Sequence, residues 1–137
     1  MKLVLLLLCL LYVTFSKGKD IQEEIKEIKQ KAHEHCVQKT GASEELIQQE
    51  IQNNVYTQNE NLKCYEACKY VYFGLVDEKT GKFSLDKFQK NYPKEFTSVW
   101  SKILTDCNVT DFGKNMCEEA WQYLTTCFVN QPDFAPF

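Results

Sequence analysis

The stretch Leu62-Lys63-Cys64-Tyr65-Glu66-Ala67-Cys68 decides the fold, because it sets two cysteines one helical turn apart. Residues at this spacing lie on the same face of a helix. Working outward, the other cysteines in the body of the chain are Cys36, Cys107, Cys117 and Cys127, and the gaps between the six are 27, 3, 38, 9 and 9 residues. This pattern favours a small scaffold held together by disulfides.

An export signal opens the chain. Lys2 supplies a short positive region, and Leu3 to Val13 is an apolar run of eleven residues. Small residues after this run predict cleavage after Ser16 or Gly18. The run is too short to cross a bilayer, which needs about 20 apolar residues. We therefore predict a signal peptide at residues 1–18, a secreted, extracellular protein, and one domain over residues 19–137.

The cysteine count is consistent with export. Cys9 lies in the leader, so its removal leaves six cysteines, an even number. Thiols in an exported chain are expected to pair, in any of 15 connectivities. Each bridge is worth about 3 to 4 kcal/mol by loop-closure arguments. A zinc site would favour Cys-x2-Cys pairs, which the sequence lacks.

The charge pattern argues against two kinds of partner. The chain has 16 basic residues, all of them Lys, against 19 acidic residues, and the formal net charge is −3. The two signs are interspersed, whereas nucleic-acid-binding proteins gather basic residues on one face. We expect neither nucleic acid nor an anionic membrane as a partner.

Apolar periodicity predicts an all-α fold. Apolar residues from Ile21 to Cys36 recur at spacings of three and four, which indicates an amphipathic helix that Gly41 ends. Ser43 caps a second helix, which closes at Asn53-Asn54. The apolar side of this second helix is predicted to consist of Leu46, Ile47 and Ile51.

Four further helices follow. The third starts near Asn59–Leu62 and runs to about Val76, and a turn at residues 77–83 separates it from a short fourth helix capped by Ser84. Pro93 opens the fifth helix, which ends near Cys107. The sixth is predicted to be capped by Thr110 or Asp111 and to run to Cys127. Sustained period-2 alternation is missing from the sequence, so we predict essentially no sheet.

The cysteine order Cys-x27-Cys-x3-Cys-x38-Cys-x9-Cys-x9-Cys resembles that of the insect odorant-binding and pheromone-binding proteins. Three phrases share the resemblance, which covers the whole mature chain: residues 62–68, Phe73-Gly74-Leu75-Val76-Asp77 with Gly81-Lys82-Phe83, and Cys117-Glu118-Glu119-Ala120-Trp121. The resemblance implies about six helices around an internal hydrophobic cavity. It also implies three interlocked disulfides: Cys36–Cys68, Cys64–Cys117 and Cys107–Cys127.

One departure from the family concerns the last cysteine gap, which is usually eight residues and is nine here. One extra residue rotates Cys127 by about 100° around an ideal helix. We therefore predict a bulge or an early end of the sixth helix near Thr125-Thr126.

The resemblance also implies which elements line the cavity: the end of the third helix, helices four to six and the tail. The predicted ligand-binding residues are Phe73, Leu85, Phe88, Phe96, Trp100, Ile103, Trp121, Leu124, Phe128, Phe134 and Phe137. The indole N–H groups of Trp100 and Trp121, or the hydroxyl groups of Thr125 and Thr126, are candidate polar anchors.

The C-terminal tail, residues 128–137, holds three Phe and two Pro. Solvated tails are usually polar and poor in aromatic residues. We hypothesise that Phe134 and Phe137 close the cavity as a lid. Because Asp133 and the terminal carboxylate sit on this tail, acid is predicted to loosen it.

Catalysis is not indicated. His33 and His35 lie two residues apart, so a helix points them to different faces, and we interpret them as solvated surface residues rather than a metal pair. Residues 77–88 are no EF-hand, because Lys79 and Gly81 fall on ligand positions and the twelfth residue, Phe88, is not Glu. No catalytic residue, metal or cofactor is predicted.

The sequence therefore predicts a secreted carrier of small hydrophobic ligands such as odorants or pheromones, which delivers them through extracellular fluid to membrane odorant receptors. The alternative is a non-olfactory secreted protein on the same scaffold, a venom, salivary or reproductive-fluid component acting as a scavenger or interaction protein. We expect a monomer or weak homodimer. Asn108-Val109-Thr110 is a glycosylation sequon, and Thr110 is otherwise a helix cap.

Overall fold

A computed structural model describes residues 20–136. The predicted signal peptide and Phe137 lie outside these residues. The described part of the chain contains six α-helices and one short 3-10 helix: α1 (Ile21–Thr40), α2 (Glu44–Asn53), α3 (Glu60–Tyr72), α4 (Leu85–Asn91), α5 (Lys94–Asp106), α6 (Met116–Thr126) and the 3-10 helix Phe128–Asn130. The predicted all-α fold is confirmed.

Residues 20–136 include no helix whose length and apolar character would let it cross a membrane.

Local chemistry sets the ends of the first three helices. The side chain of Asp20 accepts a hydrogen bond from the Gln22 backbone N–H at the start of α1, and Gly41 ends that helix in the left-handed conformation. The hydroxyl of Ser43 accepts from the Leu46 N–H at 3.4 Å in the same way at α2. At α3, the side-chain oxygen Oδ1 of Asn59 accepts from the Leu62 N–H at 3.1 Å. Each bond satisfies a backbone donor that a helix start leaves unpaired.

Helix α3 is central, because seven of its thirteen residues are buried and it packs against both α1 and α6. Cys68 joins it to Cys36 on α1, with Cα atoms 5.7 Å apart, and Cys64 joins it to Cys117 on α6, at 4.4 Å. The third bridge links the ends of α5 and α6, with the Cα atoms of Cys107 and Cys127 6.0 Å apart. The predicted pairing is confirmed.

The chain leaves α3 earlier than predicted, at Tyr72 instead of Val76. Gly74 adopts a left-handed conformation with φ +73°, and the N–H groups of Leu75 and Val76 both turn back to the Tyr70 carbonyl. These bonds replace the helical pattern. Helix α3 therefore ends about one turn of sequence before the loop of residues 77–83.

The loop between α3 and α4 closes on itself through a bridge between Val76 and Phe83, and it meets the loop between α5 and α6 through a bridge between Lys82 and Asp111. Where they cross, a Cβ on Gly81 would lie 2.3 Å from the Gly113 carbonyl oxygen, so only glycine fits. The Phe112 N–H donates to the Gly81 carbonyl at 2.8 Å. The predicted cap of the sixth helix at Thr110 or Asp111 was therefore wrong, since residues 107–115 remain in this loop and α6 begins at Met116.

The predicted irregularity at the end of the sixth helix is confirmed. Helix α6 stops at Thr126, and Cys127 has φ −130° and ψ −55° before the 3-10 helix starts. The Thr125 hydroxyl donates to the Trp121 carbonyl at 2.9 Å, and the Thr126 hydroxyl to the Gln122 carbonyl at 2.5 Å. The early end turns Cys127 toward Cys107. Because the Thr125 and Thr126 hydroxyls donate their protons to backbone carbonyls, these predicted anchors do not have those protons available for a ligand.

Candidate functional site

The structure buries most of the predicted ligand-binding residues. Leu85 and Phe134 are half-buried and pack against the core, and Phe137 lies outside the described residues. The others are all buried: Phe73, Phe88, Phe96, Trp100, Ile103, Trp121, Leu124 and Phe128. These side chains come from the end of α3, from α4, α5 and α6, and from the 3-10 helix that follows α6.

The aromatic rings form two connected groups. In the first, the ring centroid of Phe73 lies 6.2 Å from that of Phe88 and 5.3 Å from that of Phe96. The second surrounds Tyr70, whose ring lies 5.8 Å from Trp100 and 6.1 Å from Phe128. Edge-to-face contacts dominate, an arrangement that stabilises aromatic pairs beyond the area they bury.

Trp121 is separate from both groups. Its ring lies 6.2 Å from Tyr56, on the side of the molecule where α2 ends. The structure therefore does not gather all the predicted residues into one wall. Trp100 faces the tail, whereas Trp121 faces the segment between α2 and α3.

The C-terminal tail lies against helix α5. The ring of Phe134 contacts that of Trp100 edge-on at 6.1 Å, and the Phe134 N–H donates to the Gln131 carbonyl. The Gln131 amide in turn points to the Cys127 sulfur at 3.6 Å. Asp133 and Ala135 are exposed. The tail thus covers Trp100 with one half-buried ring and leaves its charged residue in water.

The described residues line several hollows. One, of about 170 Å³, opens between α1, α5 and the tail and touches Phe96 and Trp100 of the predicted set. A neighbouring hollow of about 380 Å³ lies between α1 and α2. The two share three lining residues on α1: Gln22, Ile25 and Lys29. They bring solvent to the edge of the aromatic interior.

A charged cluster that sequence reasoning missed lies inside the protein. Glu50, Glu66 and Lys69 are each only 2% exposed. The Lys69 Nζ donates to the Glu66 carboxylate at 3.0 Å and lies 4.7 Å from the centroid of the Tyr65 ring. Charged groups are rarely buried to this extent unless they are paired.

Glu50 stays protonated in this setting. Burial, the negative charge of Glu66 and a hydrogen bond between the two side chains raise the pKa of Glu50 to about 9. A neutral Glu50 therefore donates to Glu66, and the charge of Glu66 is balanced by Lys69. The Oε2 atom of Glu50 and the hydroxyl of Tyr56 are buried without a hydrogen-bond partner in the described structure. The cluster thus holds one ion pair and one carboxylic acid.

His33 extends this polar network toward the surface. Its Nδ1 lies 2.8 Å from the Tyr65 hydroxyl and its Nε2 lies 2.8 Å from Glu44. The side chain is only 19% exposed, so the interpretation of His33 as a solvated residue was wrong. His35 is exposed, as predicted, with its ring 5.1 Å from that of Tyr72. The two rings point to different faces of α1.

The sequence held a weak signal for the cluster. Helix α2 is rotated relative to the prediction, because it buries Ile47 and Glu50 and leaves Ile51 43% exposed. Glu50 follows Ile47 by three residues, so the two share a face. Glu66 and Lys69 have the same spacing on α3. Because α3 is covered by α1 and α6, the charged pair Glu66 and Lys69 on it could have been identified as buried.

Replacing Glu50 with glutamine should stabilise the protein increasingly as pH rises. The unfolded chain releases this proton near pH 4.5 and the native protein near pH 9, so the native state binds more protons in between. In this range the Glu50 carboxyl therefore lowers the free energy of unfolding as pH increases, by up to about 1.4 kcal/mol per pH unit. Denaturant unfolding at pH 5 and pH 8 measures the difference between Glu50→Gln and the unmodified protein.

The matched control is Glu45→Gln, at an exposed position of the same helix. Water solvates this carboxylate in both states, so the substitution should change stability equally at both pH values. A Glu50→Gln effect of the same size at pH 5 and pH 8 would contradict the protonated state of Glu50.

The fold and interior define a class: a small helical protein, crosslinked by three disulfides, with an aromatic interior. The model of the PBP/GOBP family matches residues 18–131, and the chain belongs to this family. The fold and the family support a carrier of small hydrophobic ligands rather than an enzyme. Paired cysteines of this kind are typical of extracellular proteins.

Several known proteins are similar to this chain. General odorant-binding protein 69a of Drosophila melanogaster is 25% identical over 126 residues, which cover 90% of this chain and 83% of that protein. The structure of odorant binding protein 5 of Apis mellifera has a TM-score of 0.63 at 19% identity, and the match covers 84% of this chain and 95% of that one. The latter similarity concerns the fold alone.

A third relative was solved with a small molecule. Odorant Binding Protein 7 of Anopheles gambiae, in complex with an azo compound, has a TM-score of 0.54 at 28% identity. The match covers 72% of this chain and 78% of that one. That structure has four disulfide bridges, compared with three among the described residues here.

Proposed function

We propose that this protein is a secreted carrier that takes up small hydrophobic ligands among its interior aromatic side chains and carries them through extracellular fluid to membrane receptors. The observation that carries the proposal is the aromatic interior formed by α3, α4, α5 and the tail. Desolvation would drive binding, at about 25 cal/mol per Å² of apolar area buried. The azo compound bound by the Anopheles relative is consistent with a ligand of this kind.

Ligand uptake requires the packed rings to separate. Phe73, Phe96 and Trp100 contact aromatic neighbours at centroid distances of 5 to 6 Å. In these contacts Phe134 is the half-buried ring, and it lies beyond the 3-10 helix in a part of the tail without regular structure. We therefore infer that a ligand enters under the tail and replaces the Phe134 ring in its contact with Trp100. This step assigns the tail the role of a lid.

The test is uptake of N-phenyl-1-naphthylamine, a dye whose emission rises in apolar surroundings, followed by competition with volatile alcohols, esters and aldehydes. A carrier should bind the dye with micromolar affinity and release it to competitors. A protein of the alternative class, acting only through its surface, should show no uptake. Mass spectrometry of ligand that co-purifies with the native protein would then identify the natural cargo.

Removing residues 131–137 should weaken dye binding several-fold, because Trp100 loses the ring that covers it. Acid should weaken binding to the intact protein and have less effect on the shortened one. Binding is measured at pH 7 and pH 5 for both chains, with Asp133→Asn as the variant that keeps the tail but removes its side-chain charge. Equal affinity in all conditions would remove the lid from the proposal and leave the carrier function in place.

A further inference from the structure

Lys29 on α1 is the cation that the interior leaves without a partner. Its side chain is half-buried, and no carboxylate of residues 20–136 lies within ion-pair distance of it. Burial and the nearby charge of Lys69 lower its pKa. Fully buried charges are almost always paired, and a lysine that is half-buried keeps its charge at the border between water and apolar surface. The position of Lys29 therefore calls for a negative charge that the described protein does not supply.

The charges nearby do not neutralise it. Lys69 is paired with Glu66, and Glu50 is a neutral acid, so the inner cluster has no net charge to offer. His33 is bonded to Glu44. The described groups that face α1 from the cluster thus leave one surplus positive charge at Lys29.

The surroundings of Lys29 are apolar on one side. It lines the hollow of about 170 Å³ together with Ile25, Phe96, Val99 and Trp100. Two acids, Glu95 and Asp133, also border this hollow, but both are exposed, and the charge of Asp133 acts on Lys102. The hollow therefore combines one inner cation with apolar walls that lead to the aromatic interior.

We propose that Lys29 binds the anionic head group of an amphiphile, such as an aliphatic carboxylate, whose apolar body lies against Phe96, Val99 and Trp100. The proposal rests on the carrier function and names one ligand class for it. Charge complementarity selects the head group, because a hydrogen bond to a charged partner is stronger than one between neutral groups. The apolar walls and the tail accommodate the chain.

The experiment compares dodecanoate with dodecanol, which share the same alkyl chain, at pH 7.5 by isothermal titration calorimetry. The proteins are the unmodified chain, Lys29→Met, and Lys26→Met as the matched control. Lys26 is exposed one turn of sequence away and borders only the larger hollow. Lys29→Met should weaken dodecanoate binding about tenfold or more and leave dodecanol within about twofold. Lys26→Met should change neither.

A second measurement reads the contact directly. With ¹³C-labelled lysine, NMR titration should show that dodecanoate raises the pKa of Lys29 and that dodecanol does not. The head-group assignment would be overturned if Lys29→Met bound dodecanoate with unchanged affinity, or if it lost equal affinity for both ligands. In either case, binding of dodecanol to the unmodified protein would still support the carrier function. Failure of both ligands and the dye to bind would overturn the carrier function as well.

Discussion

Replacing Lys69 with methionine is expected to lower the free energy of unfolding by about 3–5 kcal/mol at pH 7. The substitution leaves the Glu66 carboxylate buried beside Glu50 without its cation, although methionine fills a similar volume. Both Glu66 and Lys69 are 2% exposed, so water cannot replace the lost partner.

Two further variants separate pairing from packing. The double variant Lys69→Met/Glu66→Gln removes both charges and should recover much of the stability, because the cost arises from the charge left alone. Lys39→Met breaks an exposed pair with Glu78 and should have a much smaller effect, since water screens both charges. Urea unfolding of all three measures the differences. A Lys69→Met effect no larger than that of Lys39→Met would refute the role of the buried pair.

Removing the Cys64–Cys117 disulfide is the second large change. Replacing both residues with serine should cost about 4 kcal/mol by loop-closure entropy, because the bridge spans 53 residues. For a domain of this size, the melting temperature should fall on the order of 15 °C. The loss should be greatest at the contact between α3 and α6, which this bridge holds together. Thermal unfolding followed by circular dichroism provides the measurement.

The double variant Cys107→Ser/Cys127→Ser supplies the comparison. That bridge spans only 20 residues, so its removal should cost about 3 kcal/mol. If the shorter loop proved the more costly one to open, loop closure would not be the source of the stabilisation. Native packing around each sulfur would then have to explain the order.

The parts of the fold that could be predicted from the sequence are those with local causes. The cap at Ser43 and the left-handed stop at Gly41 depend on residues within one turn, and both are observed. The cysteine framework resembled a known pattern and predicted all three pairs. Similarly, the extra residue in the last cysteine gap predicted an early end of the sixth helix, and α6 ends at Thr126.

The failures have causes distant in the chain. Helix α6 begins late because Phe112 bonds to Gly81, about thirty residues earlier. Glu50 is buried because its face of α2 packs toward Glu66, and its three-residue spacing from Ile47 is only a weak local signal of that contact. The candidate site shows the same division: most of the ligand-binding residues that the family resemblance implied are buried, whereas the charged cluster and Lys29 depend on contacts between helices.

The distribution of crosslinks gives the molecule a stiff half and a compliant half. Cys64 and Cys68 tether α3 to α6 and α1, whereas a single bridge joins the end of α5 to the end of α6, and among the described residues neither α2 nor α4 carries one. We therefore expect the thermal fluctuations of the backbone to be larger in α4 and α5 than in the crosslinked helices. A ligand that expands the interior is therefore expected to displace α4 and α5 rather than the crosslinked helices α1, α3 and α6. Amide hydrogen exchange should accordingly be fastest in α4 and α5.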